Sequence, residues 1–451
     1  MSSHLKSRSL PFALVALAVF FLAAPSASPN TTGGRSGGRH KPPHMRPVAN
    51  RYIVVLKSSV RNPRAVAARQ AHAYGARITH VYTSALKGYS AKISSTRVAA
   101  LRANRRVRFV VPDSRMSVAG QTDGTGVERI KAMNKPNKGA GVNVAVIDTG
   151  IDLTHPDLAP NIVGGMNCSS GGKRNYDDGH GHGTHVAGII AALDNGIGVV
   201  GVAPDAKLWS VRVLNDQGIG LTSDVACGID FVDSKSPAKG GPIQVANMSL
   251  GGLGYDDGNC GYTNGDPMHQ AICRAVADGV TFAVAAGNSS WDLSQQLTFV
   301  PASYNEVVTV SALTDTNGQP CGGGGPTAYG SDDTFAAFSN YATSTGELNH
   351  LIGAPGVNIY STYLGGTYKT LSGTSMASPH VAGAAALYVA THPGASPATV
   401  RDALKSLAEP AGTNFNGDCS GTATKKGHGG SVSHTDPSGL HPEAVLRADS
   451  L

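Results

Sequence analysis

Residues 142–150 read Val-Asn-Val-Ala-Val-Ile-Asp-Thr-Gly. This apolar run has the length of a buried strand, and it ends directly in the carboxylate of Asp148 and a turn. Four more apolar runs follow at 208–214, 245–250, 280–286 and 307–312. Because helical patterns separate these runs, the sequence predicts an α/β domain with three layers, in which helices cover both faces of a mainly parallel sheet. Ligands of such sheets bind beyond the carboxyl ends of the strands.

The segment before this domain has a different pattern. It predicts a strand, a helix, two strands, a helix and a strand at 52–56, 63–73, 78–82, 89–93, 95–103 and 107–111. This order is that of a ferredoxin-like α+β sandwich. Taken alone, it fits a small binding module.

The first residues have the layout of an export signal. Lys6 and Arg8 precede an apolar run at 10–24, and small residues follow. We therefore expect a signal peptide over 1–27 and an extracellular protein. A membrane anchor is the alternative, but the run is shorter than the roughly 20 residues that a spanning helix needs. Residues 28–48, rich in Gly, Arg, His and Pro, are expected to form a flexible linker.

Export also changes the interpretation of the cysteines. The chain has six of them, and an even number in an oxidising compartment predicts disulfide bonds. No pair has the Cys-x-x-Cys spacing of a zinc site. The sequence does not choose among the possible pairings.

The net charge of +7 conceals an asymmetry. Residues 1–118 contain 20 Lys+Arg and one acidic residue, Asp113, whereas the remainder contains 17 basic and 29 acidic residues. A basic segment can bind nucleic acid or membrane, but these cations are spread through patterned elements and form no block. We expect neither partner. A solvated face is one interpretation of these cations, and a partner in the acidic remainder of the same chain is the more specific one.

Three stretches carry residues that are capable of catalysis. Asp148 ends its strand, residues 180–188 read His-Gly-His-Gly-Thr-His-Val-Ala-Gly, and residues 372–383 read Ser-Gly-Thr-Ser-Met-Ala-Ser-Pro-His-Val-Ala-Gly. The histidine spacing differs from the His-x-x-x-His pair of zinc peptidases. A single aspartate or serine at such a position is usually a turn or cap residue. Together, Asp148, His182 and Ser375 have the chain order of one convergent serine triad.

These three motifs resemble the active-site motifs of the subtilases, the subtilisin and proteinase K family. The likeness covers a peptidase domain at 122–446, and residues 49–118 resemble the inhibitory propeptide of that family. The resemblance implies a monomeric, secreted serine endopeptidase, made as a zymogen, that acts on polypeptides and has its own propeptide as chaperone and inhibitor. It assigns Ser375 as nucleophile, His182 as base, Asp148 as the carboxylate that orients the histidine and Asn288 as the oxyanion donor. A secreted relative without catalysis and a narrow processing protease remain as alternatives.

The resemblance also implies where an extended substrate pairs with the enzyme. Two segments, 214–220 and 249–252, resemble the edge strands that bind a peptide by strand addition. The residues expected to contact substrate are Ser249, Leu250, Gly251, Gly252, Gly218, Gly220 and Gly287. No acidic cluster interrupts the pocket segments at 249–252, 285–288 and 301–304. We therefore expect broad specificity and a pocket for large apolar side chains rather than for basic ones.

A structural calcium ion is implied as well, and no catalytic metal. Residues 193–204 resemble the strong calcium loop of the family, and Asp157 matches its carboxylate ligand. The implied ligands are Asp157, Leu193, Asn195, Ile197 and Val199. Carboxylate, amide and carbonyl oxygens are the ligands that calcium prefers.

Overall fold

The computed structural model describes residues 47–118, 123–124, 126–171, 175–419 and 432–451. The expected signal peptide and all of the expected linker except residues 47 and 48 lie outside these ranges. Among the described residues, no helix combines the length and the apolar character needed to cross a membrane.

Residues 47–118, here called the N-terminal domain, form a four-stranded antiparallel sheet with two helices. The elements are β1 (Pro47–Leu56), α1 (Pro63–Tyr74), β2 (Arg77–Tyr82), β3 (Gly88–Lys92), α2 (Ser95–Arg102) and β4 (Val107–Val118). The strand order is β2-β3-β1-β4. This is the predicted ferredoxin-like pattern, although β4 is seven residues longer than its apolar run predicts.

Alternate residues of β1 explain how this sheet is covered on both faces. Val54 and Leu56 belong to the domain's own core with the residues of α1 and α2. Ile53 and Val55 belong to a different apolar cluster, which is otherwise formed mostly by residues of the rest of the chain. The N-terminal domain is therefore packed on the following domain through one face of its sheet.

Residues 126–451, here called the main domain, are built around a parallel sheet. In chain order, with the two-residue strand that precedes it, the elements are β5 (Asp123–Gly124), β6 (Asn143–Asp148), β7 (Ile162–Asn167), α3 (His182–Ala191), β8 (Lys207–Arg212), β9 (Ile219–Leu221), α4 (Thr222–Asp233), β10 (Ile243–Met248), β11 (Leu250–Gly254), α5 (Pro267–Ala277), β12 (Thr281–Ala285), β13 (Thr298–Val300), β14 (Val308–Thr314), β15 (Thr334–Phe335), α6 (Thr345–Leu348), β16 (Leu351–Tyr363), β17 (Thr367–Leu371), α7 (Thr374–Thr391) and α8 (Pro397–Leu407). The five predicted strands correspond to β6, β8, β10, β12 and β14.

The sheet order is β7-β8-β6-β10-β12-β14-β16-β17, and only the β16–β17 pair of this path is antiparallel. Helices α3, α7 and α8 belong to the apolar cluster on one face, with Val144 and Val146 of β6. Helices α4 and α5 belong to the cluster on the other face, with Ala145 and Ile147. The predicted three-layer architecture is confirmed.

The long strand β4 connects the two domains. Its last residues pair antiparallel with β9 through Arg115, Met116 and Ser117, and with β11 through Ser117 and Val118. The chain therefore inserts an extended segment of the N-terminal domain between two edge strands of the main domain.

The six cysteines form three disulfide bonds, as predicted. The pairs are Cys168–Cys227, Cys260–Cys273 and Cys321–Cys419. All three lie within the main domain.

Candidate active site

Asp148 and His182 meet at the carboxyl edge of the parallel sheet. Asp148 is the last residue of β6, and His182 is the first residue of α3. Nδ1 of His182 lies 2.8 Å from Oδ1 and 2.9 Å from Oδ2 of the carboxylate. Gly183 permits this approach, because a Cβ there would lie 2.1 Å from the carbonyl oxygen of Gly150. A carboxylate at Nδ1 leaves Nε2 to exchange a proton.

Ser375 lies in the first turn of α7. Its hydroxyl donates to the carbonyl of Ser249 over 3.2 Å, and the Ser249 hydroxyl donates to the carbonyl of Ser375 over 2.8 Å. Nε2 of His182 is buried, and no hydrogen-bond partner for it is found among the described residues. The positive end of the helix dipole lies at this serine, which favours negative charge that develops there.

Asn288 lies just after β12, and its side chain is fixed at one end only. Its Oδ1 accepts hydrogen bonds from the backbone N–H and the hydroxyl of Thr374, each over 2.8 Å. Its Nδ2 is buried and has no partner among the described residues. The amide therefore presents a free donor beside the N-terminus of α7. Thr374 belongs to the serine motif at 372–383, but nothing in that motif indicates this orienting role.

The other two histidines of the second motif lie near His182. Nε2 of His185 contacts the carbonyls of Ile359 and Lys369, each at 2.9 Å. Burial, together with the nearby His182, lowers the pKa of His185 to about 3. Burial also lowers the pKa of His180.

The expected peptide-binding segments border the inserted strand β4. Leu250 and Gly251 of β11 and Gly220 of β9 pair with β4. Gly252 pairs instead with Val300 of β13, and Gly218 lies in the turn before β9. Five of the seven expected residues, Ser249, Leu250, Gly251, Gly220 and Gly287, thus contact β4 or lie beside Ser375 and Asn288.

The ring of Phe299 lies between two walls of the expected pocket. A Cβ on Gly251 would lie 2.4 Å from this ring, and a Cβ on Gly287 would lie 2.9 Å from it. Both glycines therefore make room for the phenylalanine. The place of Phe299 beside this pocket was not predicted from the sequence, because nothing in its local pattern distinguishes it from a core phenylalanine.

The loop at 193–199 folds around Asp157. The buried carboxylate accepts hydrogen bonds from Asn195 Nδ2, Val199 N and the Tyr368 hydroxyl over 3.0, 3.1 and 3.2 Å. No cationic side chain pairs with Asp157 within the described ranges. The same ranges contain no donor to the carbonyl oxygens of Leu193, Ile197 and Val199. A buried carboxylate without a counter-ion beside three free carbonyls fits a calcium ion.

The comparisons with known proteins agree with this geometry. A model of the Subtilase family matches residues 139–434, and a model described as Peptidase inhibitor I9 matches residues 51–119. Subtilisin DY of Bacillus licheniformis is 41% identical over 298 residues, which are 65% of this chain and 94% of the relative. Subtilisin E of Bacillus subtilis is 38% identical over 329 residues, 72% of this chain and 76% of the relative.

Among solved structures, fervidolysin from Fervidobacterium pennivorans, described as a keratinolytic enzyme related to subtilisin, matches with a TM-score of 0.62 and 26% identity. The match covers 86% of this chain, which spans 60% of the fervidolysin chain. With the family match over the main domain and the inhibitor match over the N-terminal domain, this chain belongs to the subtilase family of serine endopeptidases and carries an inhibitor I9 propeptide.

Proposed function

We propose that the chain is a secreted endopeptidase of broad specificity that cuts beside apolar residues and removes its own propeptide. The observation that carries this proposal is the strand β4, which runs between β9 and β11 toward Ser375 as an extended substrate would. A peptide bound by strand addition gains affinity from backbone hydrogen bonds, which do not depend on its sequence. Broad specificity follows from this mode of binding.

In the proposed reaction, Ser375 attacks the scissile carbonyl while His182 takes the proton of its hydroxyl through Nε2. The imidazolium that forms is stabilised by Asp148, and it then protonates the leaving amine. The hydroxyl of Ser375 must turn from the Ser249 carbonyl toward Nε2 before this transfer. Nδ2 of Asn288 and the backbone N–H of Ser375 stabilise the oxyanion of the tetrahedral intermediate.

The proposed pocket for the residue before the cleaved bond lies between 249–252 and 285–288. Its walls are glycine-rich and carry no charged side chain, and the ring of Phe299 narrows it. We therefore propose a preference for small apolar side chains rather than for the large ones expected from the sequence alone.

In the proposed zymogen, residues 1–27 direct export, residues 28–48 are a linker, and residues 49–118 assist folding and block the cleft of a monomeric enzyme at 122–446. Both Ser375 and His182 are buried while β4 lies in the cleft. Access to the triad therefore requires cleavage after β4 and its departure.

We also propose that the loop at 193–199 holds a structural calcium ion. When bound, this ion supplies the charge that neutralises Asp157 and ties together the loop carbonyls. The chain's own residues perform the chemical steps.

The proposal is tested with Ser375→Ala, expressed for export in a host that lacks other secreted proteases. Intact mass spectrometry should find this variant uncut near residues 115–122 and unlabelled by a serine-reactive phosphonate. Ser378→Ala is the matched control, because that hydroxyl lies three residues further along α7 and donates to Asn247 over 2.8 Å. The control should mature and become labelled. A Ser375→Ala protein that matures normally contradicts self-processing.

A narrow processing protease is the second candidate. Cleavage of a peptide library distinguishes the two. Many cut sites with small apolar residues before the bond support the proposal, whereas a single consensus sequence supports the alternative.

A further inference from the structure

One buried histidine contacts the segments that follow two strands of the proposed pocket. His269 of α5 is fully buried, and the carboxylates of Asp256, Asp257 and Glu306 approach its ring. The two aspartates follow β11, and Glu306 follows β13, the strand that contains Phe299. Because β11 and β13 pair with each other, this one side chain is placed to hold the continuations of both strands.

The two ring nitrogens of His269 face different carboxylates. Nε2 lies 2.8 Å from a carboxylate oxygen of Glu306 and donates a hydrogen bond to it. Nδ1 faces Oδ1 of Asp256 at 3.6 Å and Oδ1 of Asp257 at 3.7 Å. Within the described residues, no lysine or arginine pairs with any of these three carboxylates. Protons on both nitrogens therefore supply the positive charge that this group of anions lacks.

These surroundings favour the protonated ring. Burial lowers the pKa of His269, but the hydrogen bond and charge of Glu306, with the charges of Asp256 and Asp266, raise it more, so that this pKa lies above its ordinary value. Burial raises the pKa of Glu306, but its contact with His269 lowers it more. Burial also raises the pKa of Asp257, whereas backbone hydrogen bonds from four residues lower it to about 2. Glu306 and Asp257 therefore remain anionic while His269 loses its proton.

The other groups around His269 do not replace its charge. Its ring stacks on that of Tyr304 with the centroids 3.9 Å apart, and the Tyr304 hydroxyl donates to Asp266. Burial raises the pKa of Tyr304, so this phenol stays neutral while a histidine titrates. Cys260, between β11 and α5, is joined to Cys273 of α5 in a disulfide. Loss of the histidine proton therefore loosens the segment between β11 and α5 but does not release it.

The segment between β11 and α5, residues 255–266, also borders the inhibitory strand. Tyr255 and Asn264 of this segment line a cavity together with Pro112 of β4. Val300 of β13 lies on the same cavity. A shift of the segment therefore changes the surface that an extended peptide contacts when it takes the place of β4.

We propose that His269 is a positioning residue of the substrate cleft, whose protonated ring holds β11 and β13 in place and whose neutral ring loosens them. This inference rests on the proposed function, in which these strands bind the substrate. A neutral ring that keeps its proton on Nε2 turns the lone pair of Nδ1 toward two anions, which repel it.

The sign of the pH effect follows from the raised pKa of His269. The folded chain holds this proton more tightly than the unfolded chain does. The contribution of His269 to stability is therefore complete below its ordinary pKa of about 6.5 and is lost as the pH rises through the raised pKa. Substrate affinity should fall over the same range.

Hydrogen exchange of the full-length Ser375→Ala precursor tests the proposal without any need for activity. After correction for intrinsic exchange, protection of the amides at 255–266 should fall between about pH 6 and pH 9, by roughly tenfold for each unit by which the pKa is raised. His269→Gln should be weakly protected at every pH. Glu306→Gln should move the fall to lower pH, because it removes the main group that raises the pKa. A fall that is the same in all three proteins overturns the proposal.

His441→Gln is the matched control. His441 is also buried, its Nδ1 lies 2.8 Å from Glu443, and its ring stacks on Phe335 with the centroids 4.4 Å apart. This variant should keep the pH dependence of protection at 255–266. Loss of that dependence in the control shows a general effect of removing a buried histidine and counts against the proposal.

Kinetics of the mature enzyme connect His269 to the cleft. The propeptide is absent from this enzyme, so Asp113 makes no contribution. The KM of a peptide substrate should rise with pH in the parent and in His441→Gln, and it should be high and constant in His269→Gln, with kcat alike in all three at each pH. A KM that does not depend on His269 overturns the role in the cleft. An inactive parent enzyme contradicts the proposed function instead, and hydrogen exchange then still decides whether His269 holds the segment at 255–266.

Discussion

The two polar atoms of the Asn288 side chain, Oδ1 and Nδ2, have different surroundings. Oδ1 accepts from Thr374 and fixes the amide, while Nδ2 has no partner among the described residues. On the proposed oxyanion role, Asn288→Leu should reduce kcat and leave KM nearly unchanged, because the free donor would contact only the transition state. The expected loss is roughly 10² to 10³, the range measured for removing the corresponding donor in subtilisin. Steady-state kinetics on a peptide substrate checks this, and a change in KM alone contradicts it.

Substitution of Phe299 tests the proposed substrate pocket. Phe299→Ala should open the space between Gly251 and Gly287 and raise kcat/KM for substrates with phenylalanine before the cleaved bond relative to those with alanine. One large apolar group is worth about 1 to 3 kcal/mol, so the ratio should change by roughly tenfold to a hundredfold. Phe335→Ala is the control, because both phenylalanines are 7% exposed and Phe335 belongs to a separate apolar cluster. An equal change of the ratio in both variants counts against the pocket.

At the scale of elements, the contact of β4 with α4 contains the only acidic residue of the propeptide. Asp113 accepts from the backbone N–H of Ser223 over 2.9 Å, and also from its hydroxyl. Burial raises the pKa of Asp113 to about 6, and Asp224 raises it further, whereas the hydrogen bonds from Ser223 and the charge of Arg51 lower it. The complex therefore binds the proton more tightly than the free propeptide does.

The sign of the pH effect follows from this raised pKa. The contribution of Asp113 to propeptide affinity is complete below about pH 4 and is lost as the pH rises through about 6. Between about pH 4 and pH 6 the inhibition constant should rise by a factor on the order of a hundred. Asp113→Asn should remove this dependence of the inhibition constant on pH. Inhibition of the mature enzyme by a propeptide segment, measured at several pH values, gives the answer. Parallel pH profiles for the two propeptides argue against this role of Asp113.

The loop at 193–199 gives a second prediction at this scale. Chelation of calcium should lower the melting temperature, because a metal that binds only the folded state stabilises it, by about 2.7 kcal/mol at a hundred times its dissociation constant. Asp157→Asn should melt lower than the parent and lose its sensitivity to chelator. Asp194→Asn is the control from the same loop, since Asp194 pairs with Lys138 at 2.8 Å at the surface. The Asp194→Asn variant should remain sensitive to chelator. A melting temperature of the parent that does not change in chelator contradicts the prediction.

At the scale of the whole molecule, charge separates the two domains. Residues 31–118 contain 18 Lys+Arg and one acidic residue, and residues 119–451 contain 12 more acidic than basic residues. Several contacts between the domains involve acidic side chains of α4, such as Asp230, which accepts from Ser84 N over 2.8 Å and Ala85 N over 2.7 Å. Opposite net charges should speed the encounter of the separated domains.

The rate at which a 48–118 segment associates with the mature enzyme should therefore fall as salt increases, over a Debye length of about 10 Å at 0.1 M. The dissociation rate should change much less, because Ile53 and Val55 belong to a mainly apolar contact cluster. Stopped-flow inhibition at low and high salt measures both rates. An association rate that does not fall with salt leaves the charge asymmetry without a role in inhibition.

The sequence by itself predicted the main elements of the sheet and the chain order of the proposed triad. Apolar runs at 142–147 and 280–286 predicted β6 and β12, because a buried parallel strand must be apolar on both faces. Asp148, Ser375 and Asn288 could be located as the residues at element ends, since the carboxyl ends of parallel strands meet at one edge. The position of His182 could be predicted from its motif at 180–188.

Only the tertiary structure decided the contacts between elements distant in the chain. The extension of β4 to Val118 has no local apolar signal, because its stability comes from hydrogen bonds to β9 and β11. Phe299 entered the proposed pocket only because Gly251 of β11 and Gly287, which follows β12, lie against its ring. Thr374 became an orienting residue only beside Asn288. The same is true of the disulfide pairing. A local sequence pattern predicts the secondary structure of its own segment. These features depend instead on contacts between segments that are far apart in the chain and meet only in the folded state.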